Sequence, residues 1–234
     1  MTLPKPPSSI AALIARVQAE PAPLIFLDTC AILDILRSFH RDLAPTTLIP
    51  MTLRAALASS ATPPQLHLLI TEQVSQEYAN NLHEPVKELG DRVARLSDMA
   101  HSLLSANDAL SLKLSLENLE DRLTELTGQV RDTSFCIATE ASSVSRAALR
   151  LANGTAPAKR GSSNLGDCLV IEHFLEFIRA IRANGFTQPC IFVSSNHKDF
   201  GRPPNPKPPL DAEFASLSVD YLEDFSATIK QLGL

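Results

Sequence analysis

The stretch Pro23-Leu24-Ile25-Phe26-Leu27-Asp28-Thr29-Cys30-Ala31-Ile32-Leu33-Asp34-Ile35-Leu36 decides the fold. Its opening apolar run is a buried strand by length and composition, Thr29 to Leu36 read as a helix, and Asp28 stands at the corner between them. In a parallel α/β sheet such a corner opens onto the crevice beyond the carboxyl ends of the strands, where ligands and catalytic groups collect. Asp28 is equally suited to cap the helix, because its carboxylate accepts bonds from free backbone N–H groups at the positive end of the dipole. Both readings stand at this point.

The β-then-α pattern recurs along the chain. Gln65 to Ile70 is a second buried strand that runs into a helix containing Val74-Ser75-Gln76-Glu77-Tyr78, with Thr71 as its N-cap. Pro189 to Ser194 is a third, ending at Ser195-Asn196-His197-Lys198-Asp199-Phe200, and Leu217 to Tyr221 a last one before a closing helix from Leu222 to Leu232. Further helices are expected at Ile10 to Val17, on the surface behind a loose tail at 1–9, at Thr52 to Ala58, and at Leu165 to Ala183 with Ser163 or Asn164 as cap. Residues 153–163 read as an exposed loop, and the prolines from Pro203 to Pro209 as an extended loop without regular structure. Strands alternating with helices predict a mostly parallel sheet.

The middle of the chain has a different period. Leu82, Val86, Leu89, Val93, Leu96, Ala100 and Leu103 form one apolar helical seam, and Leu112, Leu116, Leu119, Leu123, Leu126 and Val130 another. With a turn at Asn107-Asp108 these become two antiparallel helices, packed within one molecule, inserted at about 82–131; a single long helix is the alternative. The domain proper then spans 24–234, with 1–23 as tail and short helix.

Bulk properties narrow the class. At 234 residues and 44% hydrophobic the chain supports one sizeable core. No apolar segment reaches the roughly 18 residues of a membrane span. Cys30, Cys136, Cys168 and Cys190 lack CxxC spacing, which argues against a zinc site or disulfide framework and suits a reducing cytoplasm. A net charge of -5 requires any nucleic acid to be held by a local cationic patch. The strand-Ser-helix elbow of a serine hydrolase and the Gly-rich first turn of a nucleotide binder are both missing, and Cys30 stands where an aspartyl phosphatase needs its second Asp.

Acids recur at one edge of the predicted sheet. Asp28, Asn196 and Asp199 follow strand ends, while Glu77 and Asp167 lie in early turns of helices that begin at that edge. Clustered carboxylates repel one another unless a cation intervenes, and hard oxygen donors suit Mg²⁺ or Mn²⁺.

These segments, Leu27-Asp28-Thr29-Cys30, Val74 to Tyr78, Gly166-Asp167-Cys168 and Phe192 to Phe200, resemble the four acidic motifs of PIN domains, in the family's order. The likeness is strongest to larger bacterial PIN-like proteins with a helical insertion and a Lys/Arg-containing loop before the third acid. It implies an α/β, PIN-like three-layer sandwich with a central, mostly parallel sheet and an inserted helical hairpin. It also implies a metal-dependent endoribonuclease in which Asp28, Glu77, Asp167 and Asp199 are catalytic and, with Asn196, hold Mg²⁺ or Mn²⁺. Water made more acidic by the metal then attacks the phosphodiester phosphorus. Thr29, Ser194 and Ser195 are candidate phosphate contacts, and Lys159, Arg160 and Lys198 candidate RNA-holding cations; His197 reads as a solvated loop histidine.

Two positions depart from the pattern: Asn196, where an acid is frequent, and Cys30, where Ser or Asn is frequent. The other reading of the same fold is a catalytically degenerate PIN-like module that binds RNA, or binds a protein through the central helices. RNA as substrate, a homodimer, and a regulatory protein or antitoxin are the partners the resemblance leaves room for.

Overall fold

The computed structural model describes residues 5–38, 46–104, 106–159, 161 and 164–234, with backbone only at 106, 107, 109, 110 and 113–117. Arg160 and Ser163 lie outside the described residues. After α1 (Ile10–Ala19), strand β1 (Leu24–Leu27) feeds α2 (Thr29–Arg37), and α3 (Leu48–Ser60) leads to β2 (His67–Thr71) and α4 (Glu72–Asn81). Two long helices, α5 (His83–Leu103) and α6 (Ala106–Thr133), precede β3 (Phe135–Ile137), α7 (Ala141–Asn153) and α8 (Leu165–Ala183). The chain closes with β4 (Cys190–Val193), the short α9 (His197–Phe200), a two-residue-per-strand hairpin of β5 (Gly201–Arg202) and β6 (Asn205–Pro206), α10 (Leu210–Leu217), β7 (Val219–Leu222) and α11 (Phe225–Leu232).

Five strands form one parallel sheet in the order β3-β2-β1-β4-β7, as the sequence predicts for an α/β sandwich. The chain leaves β1 toward β2 and β3, then returns to the other side of β1 for β4. The carboxyl ends of β1 and β4 therefore flank the topological switch point, where parallel sheets leave a crevice. Register sets Leu27 beside Val193, so the residues that follow each strand, Asp28 and Ser194, start from the same edge. Both strands are buried throughout, which explains their unbroken apolar runs.

Helices cover the sheet in two groups: α1, α7, α8 and α10 pack with one another, and α2, α3, α5, α6 and α11 do likewise. Between sheet and α8 lies an aromatic cluster in which Phe174 sits 4.8 Å from Phe26 and 5.2 Å from Phe192, centroid to centroid. Rings at such spacing add about 0.5–1.5 kcal/mol per pair beyond their area burial. Phe200 packs on Phe192 at 5.2 Å and so ties the segment after β4 to the core.

Several expectations are revised. The central insertion is an antiparallel pair, but its break falls at Leu104, so Asn107 and Asp108 lie inside α6. Leu89, Val93, Leu123, Leu126 and Val130 join the main core against α2 and α3, whereas Leu103 is 78% exposed, because the hairpin outruns the helices it packs on. Ser8, read as loose tail, makes a parallel bridge to Ile137, and α1 buries Ile10, Leu13, Ile14 and Val17 in the core. Ala156, Pro157 and Ala158, read as exposed loop, are buried because Arg150 and Asn164 donate to the carbonyls of Ala156 and Pro157. The proline-rich loop holds the β5–β6 hairpin, with Gly201 at φ 99°, where a Cβ would come within 2.8 Å of backbone. β3, α7 and α10 are elements that the apolar periods of the sequence do not announce. No helix among the described residues is long and apolar enough to cross a membrane.

Candidate active site

Asp28 unites the two readings of its corner. It is the N-cap of α2, its Oδ1 accepting from the Thr29 N–H at 2.7 Å, and it also lines a cleft of about 460 Å³ at the switch point. Its other oxygen accepts from the Ser194 hydroxyl at 2.7 Å and from the Cys30 thiol at 3.0 Å. The carboxyl is 3% exposed and fixed from three sides. Burial pushes its pKa up and the Glu77 charge adds to this, while the three hydrogen bonds oppose both. Burial and the Asp28 charge push the Cys30 thiol well above its ordinary pKa, so Cys30 stands as a donor.

Glu77 reaches the cleft from α4. Its Oε2 accepts from the Thr29 hydroxyl and its Oε1 from the Gln73 amide, at 2.7 and 2.8 Å. Opposite it the first turn of α8 comes so close that a Cβ on Gly166 would collide with Glu77 Oε1. Glycine here permits the close approach of the two helices. It also brings Asp167 to the cleft, where burial, followed by the charges of Asp28, Asp199 and Glu77, raises its carboxyl to about 7. Acids from three other segments thus lie close enough for their charges to act on Asp167.

Asn196 closes the group, its amide nitrogen donating to Asp167 Oδ1 at 3.4 Å. The segment from Ser194 to Gly201 is pinned at both ends by one side chain, since the Tyr221 hydroxyl lies 3.3 Å from the Ser194 carbonyl and 2.8 Å from that of Gly201. Asp199 sits on α9 outside the cleft lining, with the Lys159 ammonium 3.8 Å away, yet close enough for its charge to act on Asp167.

The other sequence candidates divide. Thr29 and Asn196 line the cleft. Ser194 is fully buried and its hydroxyl donates to Asp28, while the half-buried Ser195 donates to Asp34 on α2. Lys198 is exposed and away from the cleft lining, and its carbonyl accepts from the Lys207 ammonium. His197 faces Glu223 at 3.3 Å. The cleft also has a wall that sequence reasoning missed: Arg37 from the end of α2, Asn80 and Asn81 from the end of α4, and His83, Glu84 and Glu88 from the insertion's first turns. The signal for it lay in the insertion starting directly after the Glu77 helix.

Among the described residues, no group of three His, Cys, Asp or Glu side chains is arranged to hold a metal ion. The donor chemistry nevertheless fits a hard divalent ion. Asp28 and Glu77 carry their hydrogen bonds on oxygens with further lone pairs, Asn196 offers a carbonyl, and the carboxylate charges that add to burial in raising Asp167 are ones a cation would offset.

A family model described as PIN domain matches residues 25–200, three quarters of the chain and all four acidic segments. No curated protein and no solved structure matches it. The parallel sheet, the acids at its switch point and the matched span agree, and the chain belongs to the PIN domain family.

Proposed function

We propose that this protein is a metal-dependent endoribonuclease that hydrolyses RNA phosphodiester bonds at the cleft of Asp28, Glu77, Asp167, Asp199 and Asn196. PIN domains are nuclease-type folds, and the observation that supports the finer reading is the convergence of Asp28, Glu77 and Asp199 on the half-buried Asp167, whose carboxyl is raised to about 7 by burial and then by those three charges. Mg²⁺ or Mn²⁺, held by Asp28 and Asp167 with Asp199, Glu77 and Asn196 around them, would supply Lewis acidity toward water and offset charge on the phosphate. The chain's own residues do the rest. Ser194, Cys30 and the Thr29 N–H hold the Asp28 carboxylate at a fixed angle. Gln73 and Thr29 orient Glu77, whose carboxylate then accepts a proton or a hydrogen bond from the attacking water. Lys159, 3.8 Å from Asp199, would offset that charge and meet a phosphate of the bound strand.

The four free cysteines suit a reducing cytoplasm as the place of action. The test is cleavage of a mixed-sequence single-stranded RNA by wild type and Asp28→Asn, each with Mn²⁺, Mg²⁺ or EDTA. The reading expects cutting with metal that stops in EDTA and in the variant. Cutting that survives EDTA, or that Asp28→Asn retains, overturns it.

A further inference from the structure

The cleft is far larger than the acids need. An ion and a few waters take about 30 Å³ each, whereas about 460 Å³ is on the scale of sites that enclose a whole small ligand. The extra room lies along the corner where α4 passes into α5 through Leu82, itself in helical conformation, so that no loop separates them. This corner sets Asn80 and Asn81 next to His83, Glu84 and Glu88, all of them exposed and all lining the cleft. Arg37 faces them from the last turn of α2. Asp34, 8% exposed, lies 3.6 Å from the Arg37 guanidinium and also accepts from Ser195, so the arginine is positioned from the core.

The composition of this wall selects its occupant. Each carboxamide presents a paired donor and acceptor of the kind that match a base edge. An imidazole offers a stacking face for an unstacked base. Glu84 and Glu88 repel phosphate yet accept hydrogen bonds from an exocyclic amine or a ribose 2′-hydroxyl. Among the described residues that line the cleft, Arg37 alone carries a full positive charge, in a fork that fits one phosphate. A run of phosphates is excluded by this charge pattern, and a single nucleotide is admitted.

Resting on the nuclease reading, we infer that the α4–α5 corner is a nucleotide subsite. It takes the base and ribose next to the scissile phosphate of single-stranded RNA against Asn80, Asn81 and His83, and the following phosphate on Arg37. The helical insertion, through its first turns, then takes part in choosing where the strand is cut.

The experiment compares wild type, the double variant Asn80→Ala/Asn81→Ala, His83→Ala and Arg37→Gln on short single-stranded RNAs covering every dinucleotide step, with Mn²⁺. The double variant is expected to raise KM about tenfold and flatten the base preference at the cut, with kcat falling far less than in Asp28→Asn. Arg37→Gln is expected to raise KM for all sequences alike and to lower the salt slope by about one. Unchanged KM and unchanged base preference in the double variant and in His83→Ala would overturn the subsite while leaving the nuclease intact. If wild type cuts no RNA, the nuclease reading fails, and fluorescence anisotropy of the same RNAs judges the subsite: tenfold weaker binding by the double variant supports it, and equal binding overturns it.

Discussion

Changing Asp167 to Asn is expected to make the metal-free protein more stable at alkaline pH while removing its activity. The carboxyl moves from an ordinary 3.8 to about 7 in the fold, through burial and the charges of Asp28, Asp199 and Glu77. A raised acid binds its proton more tightly folded than unfolded, so its contribution to stability is fully present below the unfolded value and is lost as pH rises through about 7. Integrating that difference gives a loss on the order of 3 kcal/mol between about pH 5 and pH 8 from this group alone. For a chain of this size, about 2–4 °C per kcal/mol makes that on the order of 10 °C of melting temperature. The assay is thermal melting by circular dichroism in EDTA, wild type against Asp167→Asn. Wild type should lose about that much more than the variant across the window. Mn²⁺ at the upper pH should reverse the loss in wild type, by about 2.7 kcal/mol at a hundredfold excess over its dissociation constant, and act far less on the variant. Identical pH slopes for the two proteins in EDTA would refute the reasoning, since Asp167 would then carry no strain from its neighbours.

Three other changes probe separate parts of the account. Gly166→Ala puts a Cβ into Glu77 Oε1, the far end of a flexible side chain, so the fold should hold within about 1 kcal/mol while cleavage falls at least tenfold; unimpaired cleavage would mean that the placement of Glu77 is immaterial. Ser194→Ala removes a hydrogen bond to the buried Asp28 carboxylate and should cost about 1.5–3 kcal/mol in urea unfolding, a loss under about 0.5 kcal/mol arguing that Asp28 is held without it. Arg150→Met leaves Glu172, 4% exposed, without its buried partner and frees the Ala156 carbonyl; unfolding should cost about 3 kcal/mol, and a neutral outcome would show that Arg146 alone satisfies Glu172.

The fold and acids were legible because their signals are local. An apolar run ending in Asp28, another ending in Ser194, and a helix opening at Gly166-Asp167 each declare themselves within a dozen residues. Thr71 caps α4 as its sequence suggests, accepting from Val74 N–H. What the sequence hid depends on distant partners. Ser194 and Ser195 look like phosphate contacts until the sheet register turns one to Asp28 and places the other beside Asp34. The burial of Ala156 to Ala158 rests on Arg150 and Asn164, and neither loop composition nor turn residues announce it. β3 is three residues long, too short for any period to show. Tyr221 reads as an ordinary strand residue, and only the fold shows its hydroxyl spanning both ends of the segment that carries Asn196 and Asp199.

The central claim is that the acids assembled at the sheet's switch point hold a divalent ion, and electron paramagnetic resonance of Mn²⁺ titrated into the protein tests it without reference to any RNA. The account predicts that wild type removes Mn²⁺ from solution in a saturable step, while the folded Asp28→Asn and Asp167→Asn variants do so far more weakly. Saturable binding unchanged in both variants, or none in wild type, would contradict it.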